Sequence, residues 1–256
     1  MSNKQTVTYN TGDVYFGELG ANGKRHGFGK YVTKNGDVYD GQWEEGLKHG
    51  IGSYEFKSGT KYDGEWVKGF KEGKGCYTYS NGDIFKGQFE KGWQTNGTYL
   101  YKEVDIYEGD FENGIQNGSG KYMFANGDKY IGDFKNGKFC GFGKYMYANG
   151  TGYEGDWQDD MRHGRGIFYG MAGSGYNGEW KNDMREGKGK YFYSNGEQYD
   201  GEWSNNKRNG AGKMMYPNGE KYEGRFLNDM RHGAGVFINA KGQQEKQEYQ
   251  NDKRIK

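Results

Sequence analysis

Between residues 15 and 242, apolar and polar positions alternate in short runs that recur about every 23 residues. Residues 39–61, YDGQWEEGLKHGIGSYEFKSGTK, show the unit. Tyr39, Gly41 and Trp43 alternate with Asp40, Gln42 and Glu44, which is the period of two expected of a strand. After a turn at EGLKH, Gly50, Gly52, Tyr54 and Phe56 alternate with Ile51, Ser53 and Glu55, and KSGT leads into the next tyrosine. Each unit is therefore predicted to be a β-hairpin. The units begin at Tyr15, Tyr39, Tyr62, Phe85, Tyr107, Tyr130, Tyr153, Tyr176, Tyr199 and Tyr222, at intervals of 24, 23, 23, 22, 23, 23, 23, 23 and 23 residues. A fixed period of this length means one small unit stacked many times.

The predicted fold is all-β: a single-sheet antiparallel meander, a solenoid of about ten hairpins. The second turn of many units reads Asn-Gly (Asn81-Gly82, Asn126-Gly127, Asn195-Gly196, Asn218-Gly219), the strongest short hairpin signal because both residues tolerate positive φ. Aromatics and glycines share one face. Glycine inside a strand is costly unless something sits over it, so rings are expected to pack on the glycines. Two strands per unit advance roughly 9.6 Å, and ten units on the order of 95 Å. Residues 1–14 read as a half-repeat cap, 15–242 as the array, and 243–256 as a polar tail, QQEKQEYQNDKRIK, suited to blunting a sheet edge or to disorder.

Composition narrows the function. Only 32% of residues are hydrophobic, which by itself resembles a disordered chain, but 18% are aromatic, which does not. The net charge of +1 argues against bulk attraction to nucleic acid. Two cysteines make no disulfide framework, pointing to a reducing, cytoplasmic setting. No apolar run is long enough to span a membrane as a helix.

Candidate chemistry is sparse. His26, His49, His163 and His232 each precede the first glycine of a Gly-x-Gly pair and lie at least a repeat apart, roughly 9.6 Å, too far for two of them to stand 2.0–2.3 Å from one metal ion. No catalytic constellation, metal site or cofactor site is expected. Arg25, Lys48, Lys71, Arg162, Arg185, Arg208 and Arg231 recur in the first turn and read as a basic edge that an anionic lipid headgroup would suit, although Glu45, Asp160, Asp183 and Asp229 in the same turns offset them. On the face away from the aromatics a column runs through Val32, Glu55 and Thr78, then Leu100, Met123, Met146, Tyr169, Phe192, Met215 and Ile238. From Leu100 on, every member is large and apolar. Contiguous exposed apolar surface marks interaction sites, so this column is the expected seat of a protein partner, an extended segment or a helix. Packing within the chain is the competing explanation.

The pattern Tyr-x-Gly-x-Trp/Phe followed by Gly-x-Gly resembles the MORN repeat, as in YDGQWEEGLKHGIG (39–52), YEGDWQDDMRHGRG (153–166) and YEGRFLNDMRHGAG (222–235). Three units depart from it. Leu19 replaces the first tryptophan, the fourth unit is one residue short with Thr95 in place of a glycine, and GMAGSG (170–175) replaces an Asn-Gly turn. The short fourth unit is a candidate break in the array. The resemblance implies elongated antiparallel sheets. Because no separate catalytic domain is present, it also implies a repeat-only scaffold in a cytoskeletal or ciliary assembly, such as an axonemal radial spoke. A peripheral membrane tether is the alternative. A monomer or simple dimer is expected.

Overall fold

The computed structural model describes residues 4–102 and 104–256, so residues 1–3 of the expected cap lie outside the described part. The chain is all-β and divides into two compact units, Met1–Ala125 and Asn126–Lys256. Within each unit consecutive strands pair antiparallel in a meander. The first unit runs from Gln5–Thr8 to Ile115–Met123, the second from Lys129–Lys135 to Lys253–Arg254. Each repeat is a hairpin, for example Val38–Glu44 with Leu47–Glu55. Glycine faces glycine across the hairpins, and the leading aromatic faces another aromatic except at Tyr199, which faces Met214: Tyr39 stands opposite Tyr54, and Gly41 opposite Gly52, which in turn opposes Gly64 of the next hairpin.

The turns are assigned differently from the sequence expectation. Two-residue loops with positive φ at both positions close the first turn of the unit, at Glu45-Gly46 (φ 51 and 82), Asn205-Asn206 (49 and 69) and Asn228-Asp229 (49 and 71). That is the twist-matched hairpin loop. The Asn-Gly of the second turn is part of a longer loop. The Tyr79 N–H donates to Asp83 O (2.9 Å) and the Gly82 N–H to Tyr79 O (3.0 Å), and within that loop only Gly82 has positive φ. The first turns are also zipped to their predecessors: the Gly46 N–H donates to Arg25 O (2.9 Å) and the Gly69 N–H to Lys48 O (2.8 Å). This bonding holds Glu45 and Lys68 in a conformation their own side chains disfavour.

The two glycines of each Gly-x-Gly pair have separate jobs. Gly50 sits in a bulge at φ 60, where the register shifts between Gly41 and Trp43 on the partner strand. The Gln42 side chain accepts the Ile51 N–H freed by the bulge (2.7 Å), and Glu65 does the same for Lys74 (3.0 Å). Gly52 lies under the Tyr39 ring, and a Cβ there would come 2.3 Å from the hydroxyl oxygen. In the fourth hairpin, Ile84–Glu90 with Trp93–Leu100, Phe89 pairs with Gln94 and Gln88 with Asn96, so Thr95 alone forms the bulge. The missing residue is taken from the bulge, and Tyr99 still meets Tyr107 in register. The array is not broken there.

Beyond residue 242 the pairing continues. Gln244–Gln250 forms a further first strand against Met230–Ile238, although Glu245 occupies the tyrosine position. Tyr249 fills the tryptophan position and is buried, its ring 5.5 Å from Tyr222.

Candidate functional site

The aromatic face is a one-layer core. Tyr15, Tyr39, Tyr62, Tyr107, Tyr130, Tyr153, Tyr176, Tyr199 and Tyr222 are essentially inaccessible, covered by rings of their own and adjoining hairpins without a second layer. Edge-to-face contacts achieve this: Tyr39 meets Trp43 at 5.0 Å and Trp66 of the following hairpin at 5.4 Å. The indole of Trp66 also donates to Gly52 O of the preceding hairpin (3.0 Å), and the Tyr39 hydroxyl to Gln42 O (2.9 Å). Burial pushes the Tyr15 hydroxyl up to about 12.

The basic ladder belongs to this face. Its members sit in the second strand rather than in the turn: Lys48 pairs with Trp43 and Arg185 with Trp180. Each cation lies over rings. The Arg25 guanidinium is 4.2 Å from the Trp43 centroid, Lys48 Nζ 4.0 Å from Tyr54, Lys71 4.4 Å from Tyr77, Arg162 4.3 Å from Trp180, Arg185 4.3 Å from Trp203, Arg208 5.2 Å from Phe226 and Arg231 4.2 Å from Tyr249. Arginine Nη2 atoms donate to the carbonyl of the next turn, from Arg25 to Gly46 (2.8 Å) and from Arg185 to Asn206 (2.7 Å). Burial, reinforced by the charges of Arg25 and Lys71, brings the Lys48 amine down to about 8. Where the ladder is interrupted, Gln94 and Gln116 donate to the Tyr79 and Tyr101 hydroxyls, and Phe139 stacks on Tyr130 at 3.7 Å. These residues join hairpin to hairpin, and an anion arriving here would compete with those bonds.

The apolar column lies on the opposite face. In the first unit Leu100 stands between Ile84 and Ile106, and Met123 opposes Ile106. In the second unit Met146, Tyr169, Phe192, Met215 and Ile238 follow one per hairpin; Tyr169 is 46% and Phe192 37% exposed, and the others are half-buried. Gly152 stands between Met146 and Tyr169, and Gly175 between Tyr169 and Phe192, so no side chain separates these three residues. At the same level Gln198 and Lys221 flank Met215. Beside the column on this face, lysines and carboxylates pair across strands, as in Lys144–Glu154 (3.4 Å) and Lys213–Glu223 (2.6 Å).

Two features escaped the sequence reading. In the first turns of the first unit, Leu47, Phe70, Trp93 and Ile115 project from the outer face, each about half exposed. In addition, aspartates of the second turn anchor the next hairpin: Asp13 accepts from the Tyr31 hydroxyl (2.6 Å) and the Lys34 N–H (2.8 Å), and Asp128 from Ala148 N–H and Tyr145 (both 2.8 Å). These bonds hold both carboxyls below their ordinary range. The recurring Asp at that position was the available signal. Among the described residues no group of three or more His, Cys, Asp or Glu side chains is placed to hold a metal ion.

The TCP domain of Drosophila melanogaster SAS-4, solved with a proline-rich motif of Ana2, is 16% identical over 68% of this chain and 83% of that one, with a TM-score of 0.32. The TCP10 domain of Danio rerio CPAP, solved with a STIL peptide, is 10% identical over 96% and 100%, also at 0.32. Scores this low assign neither fold nor partner. No curated protein matches the chain. The MORN repeat model matches nine times, at residues 15–38, 39–61, 62–84, 107–129, 130–152, 153–174, 176–198, 199–221 and 222–244. It omits only the shortened fourth hairpin within the array. With tyrosine over paired glycines and tryptophan bonded back to the preceding hairpin in unit after unit, the chain belongs to the MORN-repeat family.

Proposed function

We propose that this MORN-repeat protein is a non-catalytic scaffold or adaptor that holds a partner protein against the outer face of its hairpins. The observation that carries the reading is the uninterrupted Met146–Tyr169–Phe192 strip, where glycines at 152 and 175 leave three large apolar side chains adjacent on a face the hairpin itself does not cover. Met215 and Ile238 continue the column in the second unit past Gln198 and Lys221, and in the first unit Ile106 joins Leu100 to Met123. Apolar surface of this kind is typical of interaction sites, and methionine adapts to irregular partners. The family resemblance is the ground for placing the scaffold in a cytoskeletal or ciliary assembly, axonemal or radial-spoke-like.

The test is a pull-down with the native chain and a Tyr169→Ser/Phe192→Ser variant whose circular dichroism matches the native. A protein retained by the first and lost from the second is the expected outcome. Equal recovery overturns the reading. Salt-sensitive sedimentation with phosphoinositide vesicles, abolished by Arg185→Gln, would replace it with a membrane tether acting through Arg25, Lys48, Lys71, Arg162, Arg185, Arg208 and Arg231.

A further inference from the structure

We infer that Lys48 is a carbamate site: its amine adds carbon dioxide reversibly, and the product is held between Arg25 and Lys71. The three side chains take equivalent positions in the second strands of three successive hairpins, Arg25–Val32, Leu47–Glu55 and Phe70–Thr78, and all lie on the ring face. Lys48 Nζ is 4.0 Å from the Tyr54 centroid, 4.6 Å from that of Trp66 and 5.5 Å from that of Tyr39. These rings take water away from the amine and offer it no oxygen in return. A lysine desolvated by apolar surroundings and set beside other cations is the arrangement that makes an amine nucleophilic.

The sequence leaves this amine without a partner. In the second unit the ladder is arginine, and each guanidinium finds oxygen in the first turn of the next hairpin: Arg162 bonds to Asp183 Oδ1 (2.8 Å) and Asp183 O (3.0 Å), Arg185 to Asn206 O (2.7 Å), and Arg208 to Asp229 Oδ1 (3.3 Å) and Asp229 O. The equivalent turn residue after Lys48 is Gly69, which has no side chain, and an ammonium lacks the fork with which Arg25 reaches Gly46 O (2.8 Å). Among the described residues Lys48 Nζ makes neither a hydrogen bond nor an ion pair. Asp37, whose charge it feels, already accepts the Tyr54 hydroxyl (3.2 Å) and the Lys57 N–H (2.9 Å). Tyr39 and Tyr54 are pushed up by burial and stay neutral.

Burial, then the charges of Arg25 and Lys71, bring the amine down to about 8, so near pH 7.5 about a quarter of it is neutral, against about one part in a thousand of an ordinary lysine. The neutral nitrogen bonds through its lone pair to the carbon of carbon dioxide. One carbon–oxygen π pair moves onto oxygen, and the nitrogen gives a proton to water, leaving an N-carboxylate. Nothing is oxidised or reduced, and no group departs. The two cations that disfavour an ammonium at this position favour a carboxylate there. An acyl donor leaves a neutral amide, which gains nothing from them, so the flanking charges select carbon dioxide. Lys71 supplies the internal comparison. It too lies over a ring, 4.4 Å from Tyr77, and burial lowers its amine, but its neighbours in the ladder are Lys48 and the uncharged Gln94, so one cation borders it instead of two.

The experiment equilibrates the native chain with isotopically labelled bicarbonate near pH 7.5, traps carbamates by O-ethylation with triethyloxonium, and locates the labelled ethoxycarbonyl groups by peptide mass spectrometry. Occupancy at Lys48 is expected to exceed that at the exposed Lys57 and Lys68 at least tenfold, and to exceed that at Lys71. Arg25→Gln, and from the other side Lys71→Gln, are each expected to lower it at least threefold while circular dichroism stays native, because each removes a cation that both suppresses the ammonium and holds the carboxylate. Occupancy at Lys48 no higher than at Lys57 and Lys68 overturns the inference. So does occupancy undiminished in both variants, or greater at Lys71 than at Lys48.

Discussion

At the scale of single residues, identical glycines obey different constraints. Gly52 is extended, and its problem is space: an added Cβ would lie 2.3 Å from the Tyr39 hydroxyl oxygen, with the ring pinned between Trp43 and Trp66. Gly50 has φ 60, and its nearest obstacle is the movable end of Gln42. Gly52→Ala is therefore expected to cost roughly 3 kcal/mol or more by overpacking against a pinned ring, and Gly50→Ala less, the left-handed penalty of about 1–2 kcal/mol plus the displaced Gln42–Ile51 hydrogen bond, about 0.5–1.5 kcal/mol. Urea unfolding of the two variants tests the order, and a larger loss at Gly50 would refute it. Lys48 offers a second test. Its folded value of about 8 lies below the ordinary 10.5, because burial disfavours the ammonium. Below pH 8 both states carry the proton and the burial cost is full. Between pH 8 and 10.5 the folded state has lost it while the unfolded state keeps it, so this group's contribution to stability rises with pH. Native stability measured relative to Lys48→Met should climb from pH 7.5 to 10, a comparison in which the tyrosines cancel. A flat difference would show that the rings hold Lys48 charged.

At the scale of the element, the unit is a hairpin closed by a two-residue turn that requires positive φ twice. Some turns use residues suited to this, such as Asn205-Asn206, whereas Lys68-Gly69 puts lysine at φ 49. Lys68 is exposed, and its side chain plays no part in the ring face. Lys68→Asn creates the preferred Asn-Gly pair and is expected to stabilise by about 0.5–1 kcal/mol, visible as a raised urea midpoint with unchanged slope. The same substitution logic fails in the second turn, where Asn81 is not left-handed and instead accepts the Asp83 N–H (3.0 Å). The Asn-Gly pairs were legible in the sequence, but their place in the hairpin was not. Glu45 and Lys68 carry no turn signal, and only the backbone bonds from the preceding hairpin explain why they adopt the turn. The five residues EGLKH therefore looked like one irregular loop, which concealed that Lys48 is already in a strand and on the ring face.

At the scale of the whole molecule, every strand pairs only with its neighbours in sequence within each unit, so stability is a sum of local terms. Trp66 bridges Tyr39 and Tyr62 and bonds to Gly52, and Trp66→Ala is expected to cost about 3–5 kcal/mol. Because coupling passes only through adjacent hairpins, amide exchange should accelerate in residues 47–78 while residues 184–238 stay protected. Uniform acceleration over both regions would show that the array unfolds as one cooperative body. The candidate surfaces follow the same division. The apolar column was legible because strand alternation separates it from the tyrosines, whereas the stripe at Leu47, Phe70, Trp93 and Ile115 was hidden in segments read as turns.

The sequence by itself determined the hairpin period, the all-β class, the family and the face on which the rings collect. A 23-residue recurrence with strict alternation has one way to bury its aromatics, which is to stack hairpins with the recurring tyrosines on one side. Tertiary structure alone decided how residues enter and leave the strands. It placed the bulge at the first glycine, where Thr95 absorbs a missing residue, and extended the array through Gln244–Gln250 because Tyr249 finds the rings of Tyr222 and the cation of Arg231. It also turned the basic ladder inward onto the rings. The physical reason is that alternation records which side of a strand a residue takes, while bulges, cross-hairpin hydrogen bonds and ring–cation contacts arise only once neighbouring hairpins are side by side.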